Sequence, residues 1–300
     1  MLSTAKNYGL FWLAIILLCL VGLIFYLGFT ESHRKFTFAM LDVGQGDALF
    51  IESPTGTQIL VDGGPPRRIL GRLARVMPLF DRTIDAIIIT NPDRDHMGGF
   101  LDVLKTYKVK QVIEPGTSND ESAIYQELKE VISKKNIPTT LAKKGMRIDL
   151  GGGVFLDILF PDRDVSTWTT NDGSIVARLS YGETSVMLTG DTTAETEKII
   201  LSENSKEVLD SDILKVAHHG SKTSSTPLFL QAVGAPVAVI PVGYRSRFGH
   251  PKAEVLARYQ AMGTAVWRTD LDGAVSVSLS DKGAAISGWR HERRRYWFER

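Results

Sequence analysis

The chain has 300 residues, with 35 Lys and Arg against 34 Asp and Glu, a formal net charge of +1. That balance excludes a histone-like or strongly acidic protein whose charge alone would name its partner. Hydrophobic residues at 43% and charged residues at 23% exclude wholesale disorder, and a single cysteine excludes a disulfide framework and a thiolate zinc cluster; no disulfide-linked partner is expected.

The first element is apolar. No side chain from Leu10 to Phe29 is charged, and twenty helical residues span ~30 Å, the hydrocarbon thickness of a bilayer. A core helix would show polar residues at helical spacing, and a cleaved signal peptide would end in a small-x-small site. Here Tyr26, Leu27 and Phe29 lead into Glu31 instead. Residues 1–34 are therefore expected to form one uncleaved transmembrane anchor, with Cys19 inside it as a small hydrophobe. Lys6 stands on one side and Arg34 and Lys35 on the other, so flanking charge leaves the orientation open.

Residues 35–289 read as one soluble domain, because no Pro/Ser linker, charge block or low-complexity segment divides them. Strands are predicted at Phe36–Val43, Ala48–Glu52 and Gln58–Val61, a helix at Arg68–Val76, then a strand over Asp85–Thr90. Helices follow at Gly98–Tyr107 and Glu121–Lys134, and strands at Val154–Leu159, Ser174–Tyr181, Thr184–Leu188 and Ile213–Ala217. The last third adds a helix at Pro227–Val233, a strand at Val237–Val242, a helix at Lys252–Met262, and strands at Ala265–Arg268 and Ala274–Leu279. Hairpins mixed with strand–helix units predict an α/β sandwich of two mixed sheets flanked by helices. Residues 290–300 mix cations with Tyr296, Trp297 and Phe298. They are read as a solvated basic and aromatic tail, with phosphate-backbone or anionic-lipid binding as the alternative.

Four of the six histidines, His96, His218, His219 and His250, lie in short turns after strands, where rigid scaffolds display functional groups. The densest turn is Asn91-Pro92-Asp93-Arg94-Asp95-His96-Met97-Gly98-Gly99, four metal-capable side chains ahead of two glycines. Turn chemistry alone would make Asp95 the N-cap of the helix Gly98–Tyr107, which leaves His96 unexplained. A calcium loop over Asn91, Asp93, Asp95 and Asp102 fails, because His96 stands where the sharp turn wants glycine. Thr189-Gly190-Asp191 and Ala217-His218-His219-Gly220-Ser221 end two further strands. Together these turns supply oxygen and imidazole ligands that suit zinc, manganese or iron.

The sequence resembles a metallo-β-lactamase-fold hydrolase, specifically the extracytoplasmic hydrolase-like domain of the ComEC family of competence proteins. The resemblance opens at Leu41-Asp42-Val43-Gly44-Gln45-Gly46-Asp47-Ala48 and Leu60-Val61-Asp62-Gly63-Gly64. It continues through Asn91–Gly99, Asn171-Asp172-Gly173-Ser174, Thr189–Asp191, His218–Ser225 and Gly249-His250-Pro251, covering about Phe36 to Ser280. It implies an αββα sandwich with a metal centre at the sheet edges. The superfamily motif His-x-His-x-Asp-His is altered: Asp93 matches the ComEC-type variant of the second His, Asn91 replaces the first, and the third ligand His has no counterpart. The implied first metal position keeps Asn91, Asp93 and a bridging Asp191, a weak set. The second keeps Asp95, His96, Asp191 and one of His218 or His219, a complete set.

The resemblance further implies one firmly held divalent ion, Zn or Mn, and a loose second one. It gives catalytic roles to Asp95, Asp191 and His250, with a turn role for His250 left open. Substrate contacts fall to Ser221, Lys222, Ser224, Asn171, Ser174 and His250, although Ser221–Ser225 could instead cap the helix that follows. Asp42, Asp47 and Asp62 are expected to orient ligands. The expected function is a single-pass, membrane-anchored, extracytoplasmic phosphodiesterase or nuclease linked to DNA uptake, acting on single-stranded DNA or another phosphodiester. A metal-poor domain that binds nucleic acid or protein without catalysis, and a lactam, lactone or thioester hydrolase, are the alternatives.

Overall fold

The computed structural model describes residues 2–32, 35–78, 80–280, 283–290 and 295–299. Helix α1 (Leu2–Ser32) contains the apolar run, and its Tyr8–Phe25 stretch is long and apolar enough to cross a membrane, with no part of it buried against the domain.

Six strands then build most of a first sheet: β1 (Thr37–Met40), β2 (Leu49–Glu52), β3 (Gln58–Val61), β4 (Thr83–Ile88), β5 (Lys108–Glu114) and β6 (Thr139–Leu141). A second sheet follows from β7 (Arg147–Gly151), β8 (Val154–Phe160), β9 (Val176–Tyr181), β10 (Thr184–Leu188), β11 (Ile213–Lys215), β12 (Val237–Ile240) and β13 (Ala265–Arg268). The chain returns to the first sheet with β14 (Val275–Ser280), β15 (Gly283–Gly288) and β16 (Arg295–Glu299), giving the order β16-β15-β14-β1-β2-β3-β4-β5-β6 against β13-β12-β11-β10-β9-β8-β7. Each half follows one plan. β1, β2 and β3 pair antiparallel and β3, β4 and β5 parallel, while β8, β9 and β10 pair antiparallel and β10, β11 and β12 parallel.

The strands are apolar on both faces, because each sheet is covered on both. Phe38, Met40, Ile51 and Val61 point inward to meet Leu156, Leu179, Val186 and Val239 between the sheets. Their alternates Ala39, Leu41, Phe50 and Leu60 point outward against α4 (Phe100–Thr106) and α5 (Ala123–Lys134). On the far side Met187, Leu214 and Ile240 pack against α6 (Ala194–Glu203), α8 (Pro227–Val233) and α9 (Ala253–Ala261). Four layers with three apolar interfaces result, the αββα sandwich the sequence implied. The smaller helices are α2 (Leu70–Leu73), α3 (Arg94–Met97), α7 (Lys206–Leu209) and α10 (Thr269–Asp272).

Local details depart from expectation. Only Leu70–Leu73 of the predicted 68–76 helix is helical. Asp95 does not cap the 98–107 helix: it lies inside α3, and α4 begins after Gly99. The residue that caps α8 is Thr226, whose hydroxyl accepts the Phe229 N–H, rather than any of Ser221–Ser225. Within the expected C-terminal tail, residues 295–299 pair with β15 at the sheet edge, and residues 291–294 and 300 lie outside the described residues.

Candidate metal centre

The chemistry-bearing loops leave the carboxyl ends of the parallel strands of both halves, where α/β sheets bind ligands. Asp62 follows β3, Asn91–His96 follow β4, Asp191 follows β10, and His218 and His219 follow β11. Asp47 enters from the β1–β2 turn. A Cβ on Gly46 would collide with the Asp95 carbonyl, so glycine lets this turn press against the Asp95 loop, where the Asp47 N–H donates to that carbonyl at 3.2 Å.

His96 is fully buried. Its Nδ1 lies 2.8 Å from Asp62 Oδ2 and its Nε2 3.1 Å from Asp191 Oδ2. Asp62 also accepts the Thr90 N–H at 2.8 Å and the Thr90 hydroxyl at 2.6 Å. Its acceptor sites are thus committed to Thr90 and His96, which fixes the ring with Nδ1–H donating to Asp62 and Nε2 turned towards Asp191. His219 is held the same way: Nδ1 donates to the Pro241 carbonyl at 2.9 Å, and Nε2 lies 3.5 Å from both Asp95 Oδ2 and Asp191 Oδ2. His218 and His219 both adopt left-handed backbone, at φ 49° and 53°, a strained turn that presents two adjacent imidazoles.

His96 Nε2, His219 Nε2 and Asp191 Oδ1 are buried without a hydrogen-bond partner. Unpaired buried polar atoms are costly, and here the two imidazole nitrogens face one carboxylate oxygen, Asp191 Oδ2, at 3.1 and 3.5 Å. Asp95, His96 and His219 offer ligand atoms within 4.8 Å of one another, as do Asp47, Asp191 and His219, and Asp47, Asp62 and His96. This donor set fits a divalent cation.

The electrostatics agree. Burial would lower both imidazoles, yet the carboxylates of Asp191 and Asp62 hold His96 well above the usual histidine range, and Asp191 and Asp47 push His219 up to about 10. Burial would raise Asp95, but the neighbouring His219 and His96 imidazoles bring it down to about 2. Asp191 is likewise held well below the carboxylate range, against its burial, by His219 and His96. The centre is a dense set of negative oxygens that attracts positive charge.

Of the adjacent histidines, His219 joins the clusters. His218 Nε2 stands 3.8 Å from Asp191 Oδ2 and its Nδ1 meets the Thr223 hydroxyl at 3.2 Å. Asp93 is committed elsewhere, accepting from Asn119 at 2.9 Å and Thr170 at 3.1 Å. Asn91 donates to Asn171 at 2.8 Å and accepts the Asp93 N–H at 2.9 Å. Asn91 and Asp93, which the resemblance assigned to a first metal position, are thus held in hydrogen bonds with Asn171, Asn119 and Thr170. Ser174, expected at the substrate, is fully buried and accepts the Asp191 N–H at 3.3 Å, and Ser224 is buried and bonds to the Ala217 and Ser221 carbonyls. Ser221 pairs with the Thr223 hydroxyl, whereas Lys222 is exposed. Asp42 does not reach the centre: it accepts from its own turn at Gly44 and from Arg290. His250 lies edge-on to His218 at 5.8 Å between ring centres. Burial and the neighbouring His219 and His218 lower it to about 4.

Sequence reasoning missed Lys215. Its ammonium group is buried, pairs with Asp47, donates to the Gly190 carbonyl at 2.6 Å and lies 3.8 Å from Asp191 Oδ1. A lone charge in a buried apolar strand three residues before His-His was the available signal.

Residues 41–244 match the family model described as Metallo-beta-lactamase superfamily. The chain is similar to ComE operon protein 3 of Bacillus subtilis, 29% identical over 83% of this chain and 34% of that protein. It is also similar to Recombination protein 2 of Haemophilus influenzae (33% identical, 88% and 31%) and Competence protein ComA of Neisseria gonorrhoeae (26% identical, 89% and 36%). The resemblance to competence proteins read from the motifs is thereby borne out, and the chain spans about a third of the length of these relatives. Among solved structures, CmlA, a diiron beta-hydroxylase from Streptomyces venezuelae, superposes with a TM-score of 0.53 at 13% identity, over 82% of this chain and 54% of that one, a likeness of fold.

Proposed function

The chain belongs to the metallo-beta-lactamase superfamily, and from that premise we propose that it is a metal-dependent phosphodiester hydrolase, anchored by α1 with its domain on the extracytoplasmic side. Its similarity to proteins named for competence and recombination supports a link to DNA uptake, and the phosphodiester proposed as substrate is single-stranded DNA. The observation that carries the reading is the pair of buried imidazole nitrogens, His96 Nε2 and His219 Nε2, that face the Asp191 carboxylate at 3.1 and 3.5 Å.

These three residues, with Asp95, would hold one Zn or Mn ion. When bound, such an ion supplies an acidified water and polarises a phosphoryl oxygen. Asp62 and the Pro241 carbonyl hold the two imidazoles in the ligating tautomer. Asp95, whose side chain is 32% exposed, is the ligand that borders solvent and so orients the attacking water. His250 is neutral at pH 7 and offers an imidazole that can donate to a phosphate oxygen, and exposed Lys222 adds a cation for the same group. A second ion would be held loosely, because Asn91 and Asp93 are already committed to Asn171, Thr170 and Asn119.

The test is metal analysis of the dialysed full-length chain together with a panel of bis(4-nitrophenyl) phosphate, a β-lactam and a lactone. The reading expects near-stoichiometric Zn or Mn and chelator-sensitive phosphodiester hydrolysis. Preferential lactam or lactone cleavage overturns the substrate class. The Asn91–Asn171 bond favours a second reading, a domain that binds nucleic acid or protein without catalysis; absence of retained metal would identify it.

A further inference from the structure

We propose that the groove bordering the metal centre is a track for a single-stranded polynucleotide, in which Arg68, Arg94, Arg245 and Arg247 take backbone phosphates and Tyr244 and Phe248 stack bases. The inference rests on the phosphodiester reading and deepens it by assigning the surface that engages the polymer away from the scissile bond. The groove has a volume of about 690 Å³ and runs between the β1–β2 turn, the 65–72 segment, Arg94–Asp95 and the 243–248 loop. Asp95 belongs both to it and to the metal centre.

Six arginines line this groove. Two are committed to holding it together: Arg72 donates to the Asp42 carbonyl at 2.6 Å and Arg290 to the Asp42 carboxylate at 2.8 Å. The guanidinium groups of Arg68, Arg94, Arg245 and Arg247 are exposed and have no ion-pair partner among the described residues. Two of them lie over aromatic rings instead, Arg245 at 5.3 Å from the Tyr244 ring centre and Arg247 at 4.7 Å from that of Phe248. Tyr244 is 68% and Phe248 46% exposed, so neither ring is there to fill a core. The loop is built to this shape. Arg245 sits at φ 52°, in the left-handed region, and Ser246 donates to Gln45 Oε1 at 2.8 Å, while Gln45 Nε2 stays buried without an acceptor. Phe248 stacks on His250 at 5.9 Å, His250 meets His218, and His218 reaches Asp191, a line of rings from groove to centre.

A small phosphodiester would need one phosphate contact. Four free guanidinium groups beside two exposed rings match a chain of phosphates carrying flat bases, the pairing by which proteins hold single strands. The bases of a duplex are already stacked on one another and cannot use the rings. The groove is concave, which disfavours a flat lipid surface.

The test measures binding of a fluorescent oligothymidylate to the full-length chain in nonionic detergent with a chelator present, across a salt series. The expected logarithmic salt slope is about −3, from about −0.7 for each of four phosphates neutralised, and a duplex of equal length binds more weakly. Replacing the four arginines with alanine should flatten the slope, and replacing them with lysine should retain it. Y244A/F248A should keep the slope and weaken oligothymidylate ~10-fold or more. An unchanged slope in the alanine variant, equal duplex binding, or competition by phosphatidylserine vesicles with Y244A/F248A inert overturns the proposal. Thermal melting of each variant separates misfolding from lost contacts. Binding under chelation with no hydrolysis by the metal-loaded protein defeats only the phosphodiesterase reading; hydrolysis without groove-dependent binding defeats only this one.

Discussion

Asp62 governs His96 from behind. Because its oxygens accept from Thr90 and from His96 Nδ1, Asp62→Asn would face an amide donor toward the imidazole and release the ligating tautomer. Metal affinity in a chelator competition should fall about 10–100-fold, the usual effect of losing a ligand's supporting partner. His96→Ala and Asp191→Ala remove ligands outright and should each abolish tight binding; full occupancy after dialysis would refute the ligand assignment. Asn91→His tests the altered first position. It breaks the bond to Asn171 but restores an imidazole, so bound metal should rise from about one equivalent towards two, with faster phosphodiester cleavage if a two-ion clamp limits the rate. Two equivalents already present in the wild type would show that another residue does the missing histidine's work.

At the scale of elements, the turn carrying His218 and His219 is clamped from two helices. Glu197 of α6 accepts the Ser225 and Thr226 N–H groups at 2.6 and 2.8 Å, and Arg258 of α9 donates to the Ser224 and Ser225 carbonyls. Burial raises the Glu197 carboxyl above the ordinary glutamate value, its hydrogen bonds offsetting this only in part. The folded state therefore binds that proton more tightly than the unfolded chain. This group's contribution to stability is fully present below the ordinary glutamate pKa and is lost as pH rises through the folded value. Glu197→Gln cannot titrate, so its stability deficit relative to wild type should narrow between pH 4 and pH 7, read from melting temperatures at both. The ligand-bearing turns were legible in the sequence, because loops dense in His, Asp and Gly after apolar strands have few structural explanations. Most strands at or next to the sheet edges were not, β13 excepted. β6 has three residues with no buried side chain, and Gly283-Ala284-Ala285-Ile286-Ser287-Gly288 carries small residues of low strand propensity that order only by pairing with β14 and β16. The Asn91–Asn171 bond was hidden for a different reason: its partners are 80 residues apart and spacing carries no trace of it, whereas Lys215 showed its charge in an apolar strand but not its distant partners Asp47 and Asp191.

At the scale of the molecule, the domain has its own three apolar interfaces, and Tyr8–Phe25 is not buried against any of them. Removing residues 1–34 should leave a soluble protein whose circular dichroism and melting temperature match the full chain's domain transition; aggregation or loss of the transition would show that α1 supports the fold. The repeated plan of the two halves also has a kinetic consequence. Asp95 and His96 come from the first half, and Asp191 and His219 from the second, so an ion held by them would bridge segments 95 or more residues apart in the chain. Such distant pairs are brought together late, because chain-closure entropy must be overcome before they can contribute. The ion cannot guide an early nucleus and acts instead as a clasp fastened after the halves dock. Interactions absent from the folding transition state slow unfolding and leave the folding rate nearly unchanged. Stopped-flow refolding should therefore run at the same rate with and without metal, while unfolding slows as metal is added.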